Sequence, residues 1–450
     1  MRKASIGLFV VFLSVGAVAI AARPPLVEAA KNGDREALRA LVQKKVDANT
    51  ADADGTTALH WASYRDDLES AGLLIRAGAN VNATNDLGAT PLWIASENGS
   101  VAIVKALLQS GANPNLALLL GETPLMVASR SGKAEVAEQL LLNGAKVDAR
   151  AARGQTALMW AVAQQHLDVV QVLLAKGADV HLRSDVWSQV MAVPPHGVPQ
   201  YNKVIPHGGE TALLFAARTG DVGSATLLVA AGANVNDADA WGVSATVLAA
   251  HSGFGELVEF LLERGADPNA AAAGFTALQA AIMRRHLPMV IALLARGADP
   301  NAPLKTWTPT RRSSKDFNFA PELVGATPFW LAARFSQPDV MRLLLKHGAD
   351  ARVVHHGHYH AEEPVEPRSH VTTTVMAAAG MGGGVAWVQP DRREREGLML
   401  ETVTLALEQG VDINAVNTDG RTALDTARAL KFERVAAFLV AQGARSGTKQ

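Results

Sequence analysis

Cysteine is absent from all 450 residues. That excludes disulfides, thiol nucleophiles, cysteine-liganded zinc and the acylated cysteine of a lipoprotein. An excess of either charge is also missing: 42 Lys and Arg stand against 43 Asp and Glu, so no global field draws nucleic acid or an anionic membrane to the chain. Electrostatic recognition has to be local. Long apolar runs are missing too, except at the N-terminus, where Arg2 and Lys3 precede an apolar run from Ile6 to Ile20 and the small-residue triplet Ala19-Ile20-Ala21. That order reads as a secretory signal peptide over residues 1–21. The run is shorter than the roughly 20 residues that span a bilayer, so no stable membrane insertion is expected after its removal. Loss of Arg2 and Lys3 leaves 40 cationic against 43 anionic groups. An exported chain without disulfides fits a bacterial periplasm, or secretion.

Catalytic signatures are lacking as well. There is no G-x-S-x-G elbow, no H-E-x-x-H pair, and no dinucleotide or P-loop fingerprint. The stretch "NTADADG" has Asp52, Asp54 and Gly55 in the manner of a calcium loop, but Trp61 stands where the bidentate glutamate is required. It reads as a turn. No enzymatic activity and no cofactor are expected.

The chain does contain an internal repeat. "GTTALHWAS", "GATPLWIAS", "GETPLMVAS" and "GQTALMWAV" recur with Thr57, Thr90, Thr123 and Thr156 each 33 residues apart, a period that signals a helical solenoid. Each threonine can cap a first helix, and Pro91, Pro124 and Pro328 follow at the first helical position, where a missing N–H costs nothing. A second apolar stretch then closes at a glycine such as Gly78, Gly111, Gly144 or Gly177, where a left-handed residue ends the helix. Asn80, Asn82, Asp86 and Gly88 suit the tight turns between units. The composition predicts two helices and a projecting hairpin per unit.

The opening "G-x-T-P/A-L" and the close "LL-x-x-GA-D/N" resemble the ankyrin repeat, from about Leu26 to Ala444. The resemblance implies an all-α solenoid, an array of about eleven helix-turn-helix units with short hairpin fingers, capped at both ends. Only His60 keeps the histidine of the family's T-P-L-H pattern. The resemblance also implies a protein-binding role through finger tips and the ends of the first helices. Carried onto this chain, that surface comprises Tyr64, Arg65, Glu97, Arg130, Gln164 and Arg218, then Trp241, His251, Phe275, Arg284 and Arg334. Arginine and aromatics predominate there, as they do in interface cores. A monomer with an unidentified protein partner is expected. The segments "GATPFWLAARFSQPDVMRLLLKHGAD" and "VMAAAGMGGG" also look like exported bacterial ankyrin-repeat proteins with long finger insertions.

The period breaks four times. Cap spacing rises to 55 before Thr211, 51 before Thr327, 46 before Thr373 and 49 before Thr422. The organisation expected is a capping repeat at 22–53, repeats at 54–183, a finger insertion at 184–207, repeats at 208–302 and a second insertion at 303–324. A repeat at 325–352 follows, then a third insertion at 353–370, a repeat at 371–418 with an internal insertion at 380–397, and a C-terminal cap and tail at 419–450. Inserted fingers commonly carry specificity. Trp187, Tyr201, Trp307, Phe317, Phe319 and Tyr359 lie in them, and Trp187 and Trp307 join the candidate contact residues. The internal insertion, with Gly382, Gly383 and Gly384, reads as a flexible linker emerging on the rim opposite the fingers.

The stretch "HHGHYH" at 355–360 falls in the third finger. Extended, it would place His356, His358 and His360 on one side, where they could bind zinc or copper with Glu362 or Glu363. Nothing in the sequence supplies acceptors to orient such ligands, so a solvated loop is the preferred reading. An effector acting on a host protein, or a metal-binding or enzymatic role in the insertions, are the alternatives to a scaffold.

Overall fold

A computed structural model describes residues 23–191, 202–308, 318–361 and 365–447. The expected signal peptide, Tyr201, Phe317, Glu362 and Glu363 lie outside them. The described residues form 22 α-helices in eleven antiparallel pairs, the all-α helix-turn-helix units expected. They divide into two compact units, Met1–Leu116 and Ala117–Gln450.

In the first unit the pairs are α1 and α2 (Pro25–Asn32, Arg35–Gln43), α3 and α4 (Ala58–Tyr64, Leu68–Arg76), and α5 and α6 (Pro91–Asn98, Val101–Gln109). The second unit opens with α7 and α8 (Pro124–Arg130, Ala134–Leu142), α9 and α10 (Ala157–Ala163, Leu167–Ala175), α11 and α12 (Ala212–Thr219, Val222–Ala230), and α13 and α14 (Ala245–Ser252, Gly255–Glu263). It continues with α15 and α16 (Ala277–Met283, Leu287–Ala295), α17 and α18 (Pro328–Arg334, Pro338–Lys346), α19 and α20 (Thr374–Ala378, Arg392–Glu408), and α21 and α22 (Ala423–Ala429, Glu433–Ala441). Within each unit the odd-numbered helices pack on one another as an inner layer and the even-numbered ones as an outer layer.

The helices start and stop for the reasons the sequence supplies. The Oγ1 of Thr90, Thr123, Thr156, Thr276 and Thr327 accepts the backbone N–H three residues on. Thr211 is an exception, its hydroxyl being buried without a partner. At Thr57 the cap is a reciprocal box with His60, whose other ring nitrogen lies 3.0 Å from the Ala89 carbonyl in the next finger. Gln279 and Asp425 build the same box at Thr276 and Thr422. The leucine of each opening, among them Leu59, Leu92, Leu125, Leu158 and Leu213, is buried between the layers, each worth about 1.5–3 kcal/mol.

Asparagine at the end of each unit does more than turn the chain. Asn82, Asn236, Asn269, Asn301 and Asn414 each accept a backbone N–H from the following unit and donate to the carbonyl of its closing glycine. Asn301 spans the second insertion in this way, reaching Asp350 and Gly348. Repeat stacking therefore continues beneath the inserted residues.

Two insertions form antiparallel hairpins. β1 (Trp187–Met191) pairs with β2 (Lys203–His207), and β3 (His355–His360) pairs with β4 (Pro367–Thr372). The described part of the second insertion includes a short 3-10 turn at Pro321–Leu323. The internal insertion departs from expectation. It is no free linker on the far rim, for it folds back across the inner helices to the second insertion. Gly382 lies so close to Trp330 that a Cβ would sit 2.9 Å from the ring, and Gly383 and Gly384 press against Glu322 and Leu323. The glycines are there for close approach, and the outer helix α20 is correspondingly delayed and lengthened.

Candidate functional site

In the first unit, Tyr64 is 62% exposed and meets Trp61 edge-on, Arg65 donates to the Lys31 carbonyl, and Glu97 is exposed. These residues lie at the ends of the inner helices α3 and α5. In the second unit Arg130, seven residues after its cap, pairs with Glu122 at 2.7 Å and lies over the Trp160 ring. Arg218 occupies the same position in its repeat, pairs with Glu210 and lies over Phe215. Gln164 is exposed nearby in sequence, at the end of α9.

The first finger insertion brings several of these together. Trp187 on β1 stacks on its cross-strand partner His207 at 4.5 Å, with Arg153 over its ring at 4.9 Å. Beside this stack is a cavity of roughly 250 Å³ whose lining includes Arg218, Glu210, Asp239 and Trp241. Burial raises Glu210 above the usual carboxylate range although Arg218 opposes the rise, and Asp239 adds to it. Asp239 is raised chiefly by burial as well, with the Val243, Trp241 and Gly242 backbone amides and Arg218 holding it down. Two half-buried carboxylates thus share one guanidinium. His207 Nε2 is buried without a hydrogen-bond partner among the described residues. Trp307 joins the two fingers, the Lys203 ammonium lying 5.0 Å from its ring centre.

Farther along, expected contact residues are covered by the chain itself. Phe275 is 3% exposed and packs against Trp241 and Phe319, so it is a core residue and not a contact surface. Arg334 is likewise withdrawn, its Nε and Nη2 donating to the Gly382 carbonyl and Nη2 also to that of Gly384. His251 and Arg284 face Trp387 of the internal insertion, with ring contacts at 5.0 and 5.9 Å. Trp387 in turn touches Phe319 and donates from Nε1 to the Asn318 carbonyl. The expectation that His251, Phe275, Arg284 and Arg334 present an open face fails because the folded-back insertion lies against His251, Arg284 and Arg334, and Trp241 and Phe319 cover Phe275.

The histidine tract is divided by the hairpin. His356, His358 and His360 are exposed along one side of β3, while His355 is 1% exposed, against the Trp330 ring and the Val324 carbonyl. Burial, with smaller repulsion from the neighbouring histidines, holds His355 down to about 4. No group of three metal-ligating side chains is assembled among the described residues.

Sequence reasoning passed over Glu210, Asp239 and His207 beside the cavity, and Trp387. A signal for the first existed: Glu122 and Glu210 each stand eight residues before an arginine, Arg130 and Arg218. Trp387 gave none, because its contacts are with residues as distant in sequence as His251.

No helix among the described residues is long and apolar enough to cross a membrane. Family models for ankyrin repeats match residues 26–117, 92–184, 196–272 and 213–304, with a further many-copy model over 158–229 and a single repeat over 324–356. The crystal structure of the human ASB11 ankyrin repeat domain is similar at 32% identity over 55% of this chain and 100% of that one, with a TM-score of 0.45. A search of curated proteins returns no match. The chain belongs to the ankyrin repeat family.

Proposed function

We propose that this chain is an exported scaffold or adaptor that recognises a partner protein with the first finger and the neighbouring ends of its inner helices. Ankyrin repeats generally mediate protein–protein interaction. The observation that carries the assignment to this place is the cluster of Trp187, Arg153, Arg218 and Trp241 around the cavity beside β1 and β2, with the inner face beyond it covered by Trp387. Tryptophan and arginine dominate binding hot spots, and half-buried carboxylates short of cationic partners favour a basic residue on the incoming surface. Export rests on the Arg2-Lys3 start and the Ile6–Ile20 apolar run.

Two outcomes are expected. Protein recovered from outside the cytoplasm should begin at residue 22, by N-terminal sequencing. An intact Met1 in that fraction would sink the signal-peptide reading. A photoreactive residue placed at Trp187 or Trp241 should give a discrete protein adduct in intact cells, whereas one at the exposed Glu259 on α14 should not. Adducts from Glu259 alone would move the interface to the outer helices.

A further inference from the structure

Three repeats carry an arginine seven residues after the cap: Arg130, Arg218 and Arg334. In two of them the residue just before the cap is a glutamate that pairs with it, as Glu122 and Glu210 do. In the third that residue is Ala326, so the carboxylate is missing. A second cation arrives in its place. Arg395, near the start of α20, comes close enough to Arg334 to disfavour its charge, and the two line a cavity of roughly 230 Å³ with Phe335, Ser336, Gln389 and Pro390.

Neither guanidinium has an ion-pair partner among the described residues. Arg334 donates Nε and Nη2 to the Gly382 and Gly384 carbonyls, which leaves Nη1 without an acceptor among the described residues. Arg395 Nε is buried with no acceptor among the described residues. A buried donor left without an acceptor is destabilising, the more so when charged, and two like charges in one cavity add repulsion. Burial and the neighbouring Arg395 hold the Arg334 guanidinium down to about 10, as expected of a cation without a counter-ion. The fold could have avoided this cost, as the glutamates before the other two caps show.

We propose that this cavity is a binding site for a single oxyanion group, a phosphoryl or a carboxylate, held between the guanidinium groups of Arg334 and Arg395. The Arg395 guanidinium fork matches the paired oxygens of either group, Arg334 adds Nη1, and the hydroxyl of Ser336 and the amide of Gln389 are further donors on the lining. At about 30 Å³ per water the cavity holds such a group together with several waters. The site is separate from the first-finger cavity and does not depend on a protein partner.

The test is calorimetric titration of the purified chain with inorganic phosphate, methyl phosphate and acetate, at ionic strength fixed with chloride. Saturable binding of at least one oxyanion is expected, weakened at least tenfold in Arg395→Gln. That substitution keeps the aliphatic stem and a polar end on a partly exposed helical residue, so helical content should be unchanged. Arg264→Gln, on the outer layer, should bind as the wild type does. Preference for the phosphates over acetate would identify a phosphoryl ligand, and the reverse a carboxylate, either of which supports the site. Absence of saturable binding by all three anions, or wild-type affinity in a folded Arg395→Gln, would overturn it.

Discussion

Replacing Trp330 by alanine should cost about 3–5 kcal/mol, the range for deleting a fully buried aromatic that leaves a cavity. Trp330 is 1% exposed on α17, meets the tilted His355 ring at 4.3 Å between centres, and forms the surface on which Gly382 lies. Its loss removes the support of the third finger and of the folded-back insertion together. The stacked helices contact mainly their neighbours and Trp387 reaches back only as far as His251 and Arg284, so the damage should stay within the later repeats. Urea unfolding followed by circular dichroism should show a new, early transition carrying a minority of the helical signal. Trp330→Phe should recover most of the loss, since the ring contact survives and the buried indole N–H, which has no acceptor, disappears. A Trp330→Ala protein with an unchanged unfolding profile would show that the insertion does not depend on this surface.

Acidification should release the same region. The folded pKa of His355, about 4, lies below the ordinary 6.5, so between those values the unfolded chain binds a proton that the folded chain does not. The contribution of His355 to stability is then complete above about pH 6.5, declines as the pH falls, and levels off below about pH 4. A gap of about 2.5 pH units amounts to about 3 kcal/mol. His60 and His370 are also lowered, mainly by burial, and act in the same direction. Nuclear magnetic resonance titration should find an imidazole with a midpoint near 4, and the signal should be missing in His355→Gln. If every histidine titrated above pH 5, the buried neutral state assigned to His355 would be wrong.

Much of the scaffold is legible in the sequence because its causes are local. A threonine before Pro-Leu or Ala-Leu caps a helix through its own hydroxyl, and a glycine after Leu-Leu ends one through its own φ, as at Gly78 (φ +86°). The asparagine ladder was half legible: Asn236 and Asn269 repeat at the 33-residue period, but a turn residue and a rung between repeats look alike in one dimension. The site is less legible for a physical reason. Whether Arg218 or Arg334 faces solvent is decided by residues far along the chain, Glu210 in one case and the 382–384 carbonyls in the other. Three glycines in a row announce close approach as readily as flexibility, and only Trp330, Glu322 and Leu323 beneath them settle which. The histidine tract shows the same limit, since alternation predicts one shared side for His356, His358 and His360 but not that His355 is built into the core.

Partner recognition is proposed to reside beside the first finger. It is tested most directly by measuring the affinity of the partner captured at Trp187 or Trp241 for the wild-type chain and for the Arg218→Ala, Trp241→Ala double variant. At least a thirtyfold loss is expected with helical content unchanged, the scale of about 2 kcal/mol that marks hot-spot residues. Affinity within twofold of wild type in a folded double variant would contradict it.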